Sequence, residues 1–238
     1  MATYCCAHRG APNTHPENTI PSFLEAVSLG VDMIEFDVRQ TADGHLVLMH
    51  DKTVDRTTDG AGSVEQLTLA EIKTFDAGSW KDAKFAGTQV PTFAEALDVM
   101  PPEILINIEL KAGEDIVDLV VAEIMKRGIT EQSLLAARND QADRARALFP
   151  DIGIINFSRQ DSGDEYVDNT IATGAEYIQL GRGYTTEELV ARCHDSGIIV
   201  NVFKSDEPDD QRLLMDWEVD YILTDDPRVL MQTLGRLP

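Results

Sequence analysis

The stretch VDMIEFDVRQTADGHLVLMHD, residues 31–51, decides how the rest of the chain is read. Its first half is an apolar run, Val31, Met33, Ile34, Phe36 and Val38, interrupted by Asp32, Glu35 and Asp37. Glu35 and Asp37 lie two positions apart, so on a strand they share a face. Two carboxylates side by side in an apolar strand repel each other and resist desolvation unless a positive charge sits between them. A divalent cation is the simplest such charge. In the second half, Asp43-Gly44 is a hairpin signal, and Leu46, Val47, Leu48 and Met49 read as the returning strand. A turn on Asp43-Gly44 sets His50 opposite Asp37, and a turn one residue earlier sets it opposite Glu35. Either register returns an imidazole to the carboxylates. An ordinary hairpin with a solvated Glu-x-Asp edge is the alternative, and the return of His50 counts against it.

At 238 residues the chain is long enough to bury one large core. Nothing in it reads as a linker, a low-complexity tract or a short repeat, so one domain over residues 1–238 is expected. The formal net charge of −22, from 20 basic and 42 acidic side chains, argues against nucleic acid or an anionic membrane as partner. It leaves room for an anionic small molecule, because a metal and a few placed cations set the potential inside a cleft. No apolar run approaches the length of a membrane span. The first residues lead into His8-Arg9 without a basic segment and an apolar one before them, so a cytoplasmic protein is expected. Three cysteines, two of them adjacent, make no disulfide framework. Cys193-His194 falls in a helical pattern without partner cysteines and reads as packing plus surface.

Outward from the hairpin the chain alternates. Thr3 to Ala7 reads as a buried strand ending at His8-Arg9-Gly10, and a helix from about Ile20 to Leu29 carries Phe23, Ala26 and Val27 on one face. Residues 52 to 91 make a long excursion with one short helical pattern, Leu69 to Phe75, which suggests a lid or rim. Its Trp80 and Phe85, with Tyr184, either line a pocket or pack the excursion onto the body. A strand from Ile104 to Leu110 ends in Glu109, and Lys111 shares its face. Strands near residues 133, 152, 177, 198 and 221 follow, each succeeded by a helix. Apart from the hairpin return, the strands number eight. The fold expected is α/β, a closed TIM (β/α)8 barrel with a hairpin and a lid-like excursion over its C-terminal mouth.

The blocks His8-Arg9-Gly10, Pro16-Glu17-Asn18-Thr19, Glu35-Phe36-Asp37-Val38, Thr41-Ala42-Asp43-Gly44 and His50-Asp51 occur in the order and spacing of a known family. So do Asp55 to Gly60, Asp76 to Trp80, Pro91-Thr92-Phe93, Asn107 to Lys111 and Thr224 to Pro227. Over essentially its whole length the chain resembles the glycerophosphodiester phosphodiesterase family. That resemblance implies hydrolysis of a small-molecule glycerophosphodiester to glycerol 3-phosphate and an alcohol. It implies metal ligands at Glu35, Asp37 and Glu109. A set of oxygen ligands without cysteine selects Mg²⁺ or Ca²⁺. His8 and His50 suit general acid and base, with the assignment between them open. Arg9 and Lys111 are the candidates to hold a phosphate oxygen. The resemblance also implies attack by the glycerol 2-hydroxyl and a cyclic phosphate intermediate.

Two departures stand out. The chain has Ala136-Ala137-Arg138-Asn139 where the family often carries Ser-Phe, and Asn201-Val202-Phe203-Lys204-Ser205 where it commonly has a tryptophan before Thr-x-Asn. Arg138 and Lys204 read either as phosphate contacts or as solvated loop positions. The alternatives are a related phosphodiesterase for lysophospholipids or sugar phosphodiesters, and a phosphoester-binding protein without catalysis. The sequence is silent on oligomeric state.

Overall fold

The computed structural model describes residues 2–111, 115–160 and 162–238. Among them run β1 (Tyr4–His8), β2 (Met33–Gln40), β3 (Leu46–Leu48), β4 (Leu105–Leu110), β5 (Ser133–Ala137), β6 (Gly153–Asn156), β7 (Tyr177–Gly181), β8 (Ile199–Phe203) and β9 (Tyr221–Thr224). Their order is β1-β9-β8-β7-β6-β5-β4-β2-β3, and a β1–β2 pairing closes eight of them into a parallel barrel. Only β3 is antiparallel; it pairs with Val38, Arg39 and Gln40 of β2, beyond the last β1–β2 pair, His8 with Glu35. The helices are α1 (Ile20–Ser28), α2 (Leu69–Ile72), α3 (Phe93–Leu97), α4 (Asp115–Arg127), α5 (Asn139–Leu148), α6 (Asp164–Thr173), α7 (Glu187–Asp195), α8 (Pro208–Asp216) and α9 (Pro227–Thr233).

The strands are apolar on both faces because both faces are buried. Outward residues such as Ala7, Ile34, Phe36, Ile106 and Ile108 join Phe23, Phe93 and Val117 of the helices in the main core. Cys6, Met33, Leu134, Ala136, Ile155 and Leu223 fill the interior. Among them, Asn107 and Asn201 both donate to Gln179 Oε1, at 3.3 and 3.2 Å. The alternation that points Met33 inward points Glu35, Asp37 and Arg39 inward too, at rising height towards the C-terminal mouth. Cys193 packs in the main core and His194 pairs with Asp220 at 2.9 Å, as packing plus surface requires.

The hairpin register differs from both expectations. Val38 lies opposite Leu48 and Arg39 opposite Val47, and Thr41 N–H donates to the His45 carbonyl at 2.8 Å. The turn is therefore a three-residue loop, Ala42-Asp43-Gly44, closed by Gly44 at φ +83°. Asp43 fixes it by accepting from Thr41 Oγ1 at 2.7 Å and from the Leu69 N–H of α2 at 3.0 Å. His50 is opposite neither Asp37 nor Glu35; β3 has already ended at Leu48, and Met49 N–H donates to the Asp37 carbonyl at 3.1 Å.

The excursion has a small core of its own, in which Val54, Val64, Ile72, Ala77 and Val90 pack on Val47 and Met49. Its α2 is shorter than expected, held by a reciprocal Thr68–Glu71 cap. It reaches the mouth through Arg56 and Lys81, whose Nζ donates to the Pro12 carbonyl at 2.5 Å.

Candidate active site

The parallel register sets Asp37 beside Glu109 and Glu35 beside Asn107. Glu35, Asp37 and Glu109 each offer a carboxylate oxygen, and the three oxygens lie within 4.8 Å of one another. Two cations answer them. Lys111 Nζ is 3.1 Å from Asp37 Oδ1 and also contacts Glu109, while Arg9 Nε is 3.1 Å from Asp37 Oδ2. Asn18 Nδ2 adds a 2.8 Å hydrogen bond to Asp37 Oδ2. Burial works to raise Asp37, but Lys111 and Arg9 outweigh it and hold its carboxyl below the usual range. Glu35 goes the other way. Burial, then the charges of Asp37 and Glu109, push it well up, and Glu109 is raised by burial and by Asp37. Glu35 Oε1 is buried without a hydrogen-bond partner. Three carboxylates against two cations leave one negative charge over, so the cluster takes up either a proton on Glu35 or a further cation.

His8 ends β1 level with Glu35, its Nε2 3.8 Å from Glu35 Oε2. Its Nδ1 meets Asp225 Oδ1 at 2.5 Å, just past the end of β9. Burial raises Asp225, but His8 and Lys204 overcome it and leave the carboxyl at about 2. Lys204 contacts Asp225 and lies 3.0 Å from Asp206, so its charge is shared with these two carboxylates. Arg138 is exposed at the start of α5.

The His8 arm then turns sharply. Arg9 adopts φ +54° and Gly10 φ +88°, where a Cβ would fall 2.7 Å from the main-chain carbon of Ser22. Only glycine fits there. The turn directs Arg9 N–H at both the Glu35 carbonyl, 2.8 Å, and Glu35 Oε2, 3.1 Å.

His50 comes from the other side. Its Nδ1 meets Asp51 Oδ1 at 2.6 Å. Arg56 Nε donates to Asp51 Oδ2 at 2.7 Å, and its Nη atoms donate to Glu17 at 2.8 Å. Glu17 also accepts from Arg9 Nη1 at 2.8 Å. A continuous run of charge, His50-Asp51-Arg56-Glu17-Arg9-Asp37, thus joins the two arms. Burial lowers the His50 pKa from its ordinary value, and Asp37 and Asp51 oppose this without reversing it.

All seven residues singled out by sequence, His8, Arg9, Glu35, Asp37, His50, Glu109 and Lys111, lie at this one end of the barrel. Asp225, Arg56 and Glu17 fall within the family-like blocks, yet sequence reasoning gives them no role. Asp225 had a usable signal, since it follows the last strand as His8 closes the first, at the edge where barrels place chemistry. A cleft of about 580 Å³ opens beside Asp225, bordered by Pro12, Glu17, Trp80, Lys81 and Asp206. Trp80 therefore faces the cleft. Phe85 packs against His15, ring centroids 4.9 Å apart, and Tyr184 lies against Gly181, half exposed.

Residues 8–152 match the model of the glycerophosphoryl diester phosphodiesterase family. The glycerophosphodiester phosphodiesterase of Caldanaerobacter subterraneus subsp. tengcongensis is 35% identical over 244 aligned residues, covering 99% of each chain. That of Bacillus subtilis is 29% identical over 93% of this chain and 83% of its own. Among solved structures, glycerophosphodiester phosphodiesterase from Agrobacterium tumefaciens superposes with a TM-score of 0.86 at 28% identity, covering 97% of this chain and 99% of that one. An Oleispira antarctica phosphodiesterase, solved in complex with the product sn-glycerol-3-phosphate, gives a TM-score of 0.87 at 26% identity, covering 98% and 97%.

Proposed function

The chain belongs to the glycerophosphoryl diester phosphodiesterase family, a family of hydrolases, and we propose that it cleaves glycerophosphodiesters to glycerol 3-phosphate and an alcohol by metal-dependent catalysis with two histidines. The observation that carries this reading is the juxtaposition of two carboxylate-paired imidazoles with a buried carboxylate trio that holds an orphan oxygen.

Glu35, Asp37 and Glu109 would hold the cation. Oxygen ligands alone suit Mg²⁺ or Ca²⁺, and the unpartnered Glu35 Oε1 is the kind of atom such an ion satisfies. When bound, it would polarise a phosphoryl oxygen and offset the charge of the substrate. Arg9 and Lys111 are proposed to meet the other non-bridging oxygen. Burial leaves His50 neutral at neutral pH, which suits the proton acceptor. His8, tied through Nδ1 to Asp225, is then the donor to the departing alcohol.

One acid or base contributes ~10²–10⁴-fold, well short of what phosphate ester cleavage demands. A hydroxyl already on the substrate adds an effective molarity of ~10⁵–10⁸ M. The proposed route is therefore attack by the glycerol 2-hydroxyl, its proton passing to His50, then opening of the cyclic phosphate by water. A lysophospholipid needs an extended apolar groove. The cleft beside Asp225 instead has Glu17, Asp206 and Asp225 on its walls, which favours a small polar alcohol. Among the described residues no helix is long and apolar enough to cross a membrane. A cytoplasmic location is part of the same proposal, supported by three buried, unpaired cysteines.

The test is release of glycerol 3-phosphate from glycerophosphocholine by purified protein with Mg²⁺, with Ca²⁺ and with chelator. Release that stops on chelation and returns with metal supports the reading. Undiminished release in chelator would remove the metal from it, and none with either metal would remove this substrate. A 2-deoxy analogue cleaved at a comparable rate would replace the cyclic route with direct attack by water.

A further inference from the structure

Continued alternation from the observed hairpin register would carry His50 to the face of Leu48 and Val38, which are buried with Phe93 and Leu97 in the outer core. His50 stands at the mouth instead, near enough for the charges of Asp37, Arg9 and Lys111 to bear on it. Something redirects the chain between Met49 and His50.

Arg39 occupies the position that can do so. It points inward two residues beyond Asp37 and is only 5% exposed. Its guanidinium goes to two main-chain carbonyls: Nη2 and Nε donate to that of His50 at 2.7 and 3.1 Å, and Nη1 donates to that of Lys111 at 3.0 Å. Among the described residues it forms no ion pair within 4.0 Å, although Asp37 and Glu109 are close enough for their charges to act on it. Lys111 is a firm anchor, since its N–H donates to the Val38 carbonyl at 3.1 Å and its ammonium is held by Asp37 and Glu109.

We infer that Arg39 is a positioning residue for catalysis, a strut from β2, braced on the Lys111 carbonyl just past β4, that turns the His50 main chain away from its strand direction and sets the imidazole at the site. The planar fork suits this task because three fixed N–H groups engage two carbonyls at once. A lysine ammonium, a single centre on a flexible stem, holds one of them at most. The inference rests on the reading of His50 as a proton-transfer group.

The experiment compares Arg39→Met, Arg39→Lys, His50→Ala and the double variant His50→Ala/Arg39→Met with wild type on glycerophosphocholine. NMR of the histidine imidazoles is recorded on the same proteins. The expected result for Arg39→Met is a kcat lower by ~10² with KM within about threefold, since displaced geometry costs turnover more than binding. Arg39→Lys should recover no more than about a tenth of wild-type kcat. The double variant should be within about twofold of His50→Ala, because two residues acting through one group are not additive. His50 imidazole signals should move while those of His8 stay. A kcat for Arg39→Met within about threefold of wild type would overturn the inference, as would a full ~10² loss on top of His50→Ala. Should Arg39→Met fail to fold, Arg39→Lys decides: wild-type kcat with unmoved His50 signals overturns the inference. If wild type itself does not turn over, the functional reading fails, and the His50 signals alone decide the role of Arg39.

Discussion

The two histidines reach the mouth by different means. His8 is the last residue of β1, in register with Glu35, its side chain 11% exposed and its Nδ1 held by an aspartate from the adjoining strand end. His50 lies past the end of β3, its side chain 35% exposed, held by Asp51 and, through its own carbonyl, by Arg39. The direction of the first follows from the pleat, and a ladder of backbone hydrogen bonds enforces it. The direction of the second runs against the pleat and depends on side-chain hydrogen bonds. The barrel thus supplies one histidine arm from its regular geometry and assembles the other from side chains.

The contrast can be broken by experiment, starting with the largest effect. His8→Ala and His50→Ala should each lower kcat by ~10²–10⁴ while the protein keeps its fold, read by steady-state kinetics and circular dichroism. A wild-type rate in either would take that arm out of the chemistry. Next come the partners. Asp225→Asn should cost ~10–100-fold in kcat, and Asp51→Asn less, because Arg39 still holds the His50 main chain. The reverse order would mean that the exposed arm depends more on its carboxylate than the buried one does.

The pH profile sharpens the comparison further. Burial lowers the pKa of His50, so its neutral form persists below the ordinary histidine value of ~6.5. If His50 accepts the proton, kcat/KM falls only as pH drops through this lowered pKa. The acid limb at saturating metal should therefore lie below ~6.5. Asp51 works to raise that pKa, so Asp51→Asn should carry the limb lower still. A limb above the ordinary value would rule out this assignment. The smallest effect is on stability. Arg56 joins Asp51 to Glu17 from a half-exposed position, and Arg56→Ala should cost about 1 kcal/mol or less in urea unfolding.

The strands of the barrel were legible because parallel strands are continuous apolar runs, and the few charges inside them, Glu35, Asp37, Arg39 and Glu109, fall where the barrel opens. The hairpin register was not. Ala42-Asp43-Gly44 accommodates turns of two or three residues, and the observed one is held by Asp43 accepting from Thr41 Oγ1 and from the N–H of Leu69, 26 residues away. Distance in sequence also hid the partners. Asp225 is 217 residues from His8 and Arg56 is 39 from Glu17, so no local spacing reports either contact. Trp80, Phe85 and Tyr184 looked equivalent as aromatics, and only the path of the excursion brings Trp80 to the cleft.

The division of labour between the two arms is tested most directly with a glycerophosphodiester whose alcohol is p-nitrophenol, a leaving group that departs without taking up a proton. Turnover by His8→Ala and His50→Ala is compared with wild type at saturating Mg²⁺. The predicted result is recovery of His8→Ala to within about tenfold of wild type, with His50→Ala still lower by ~10² or more. Recovery of His50→Ala but not His8→Ala would reverse the roles, and recovery of neither would contradict proton donation by His8 to the leaving group.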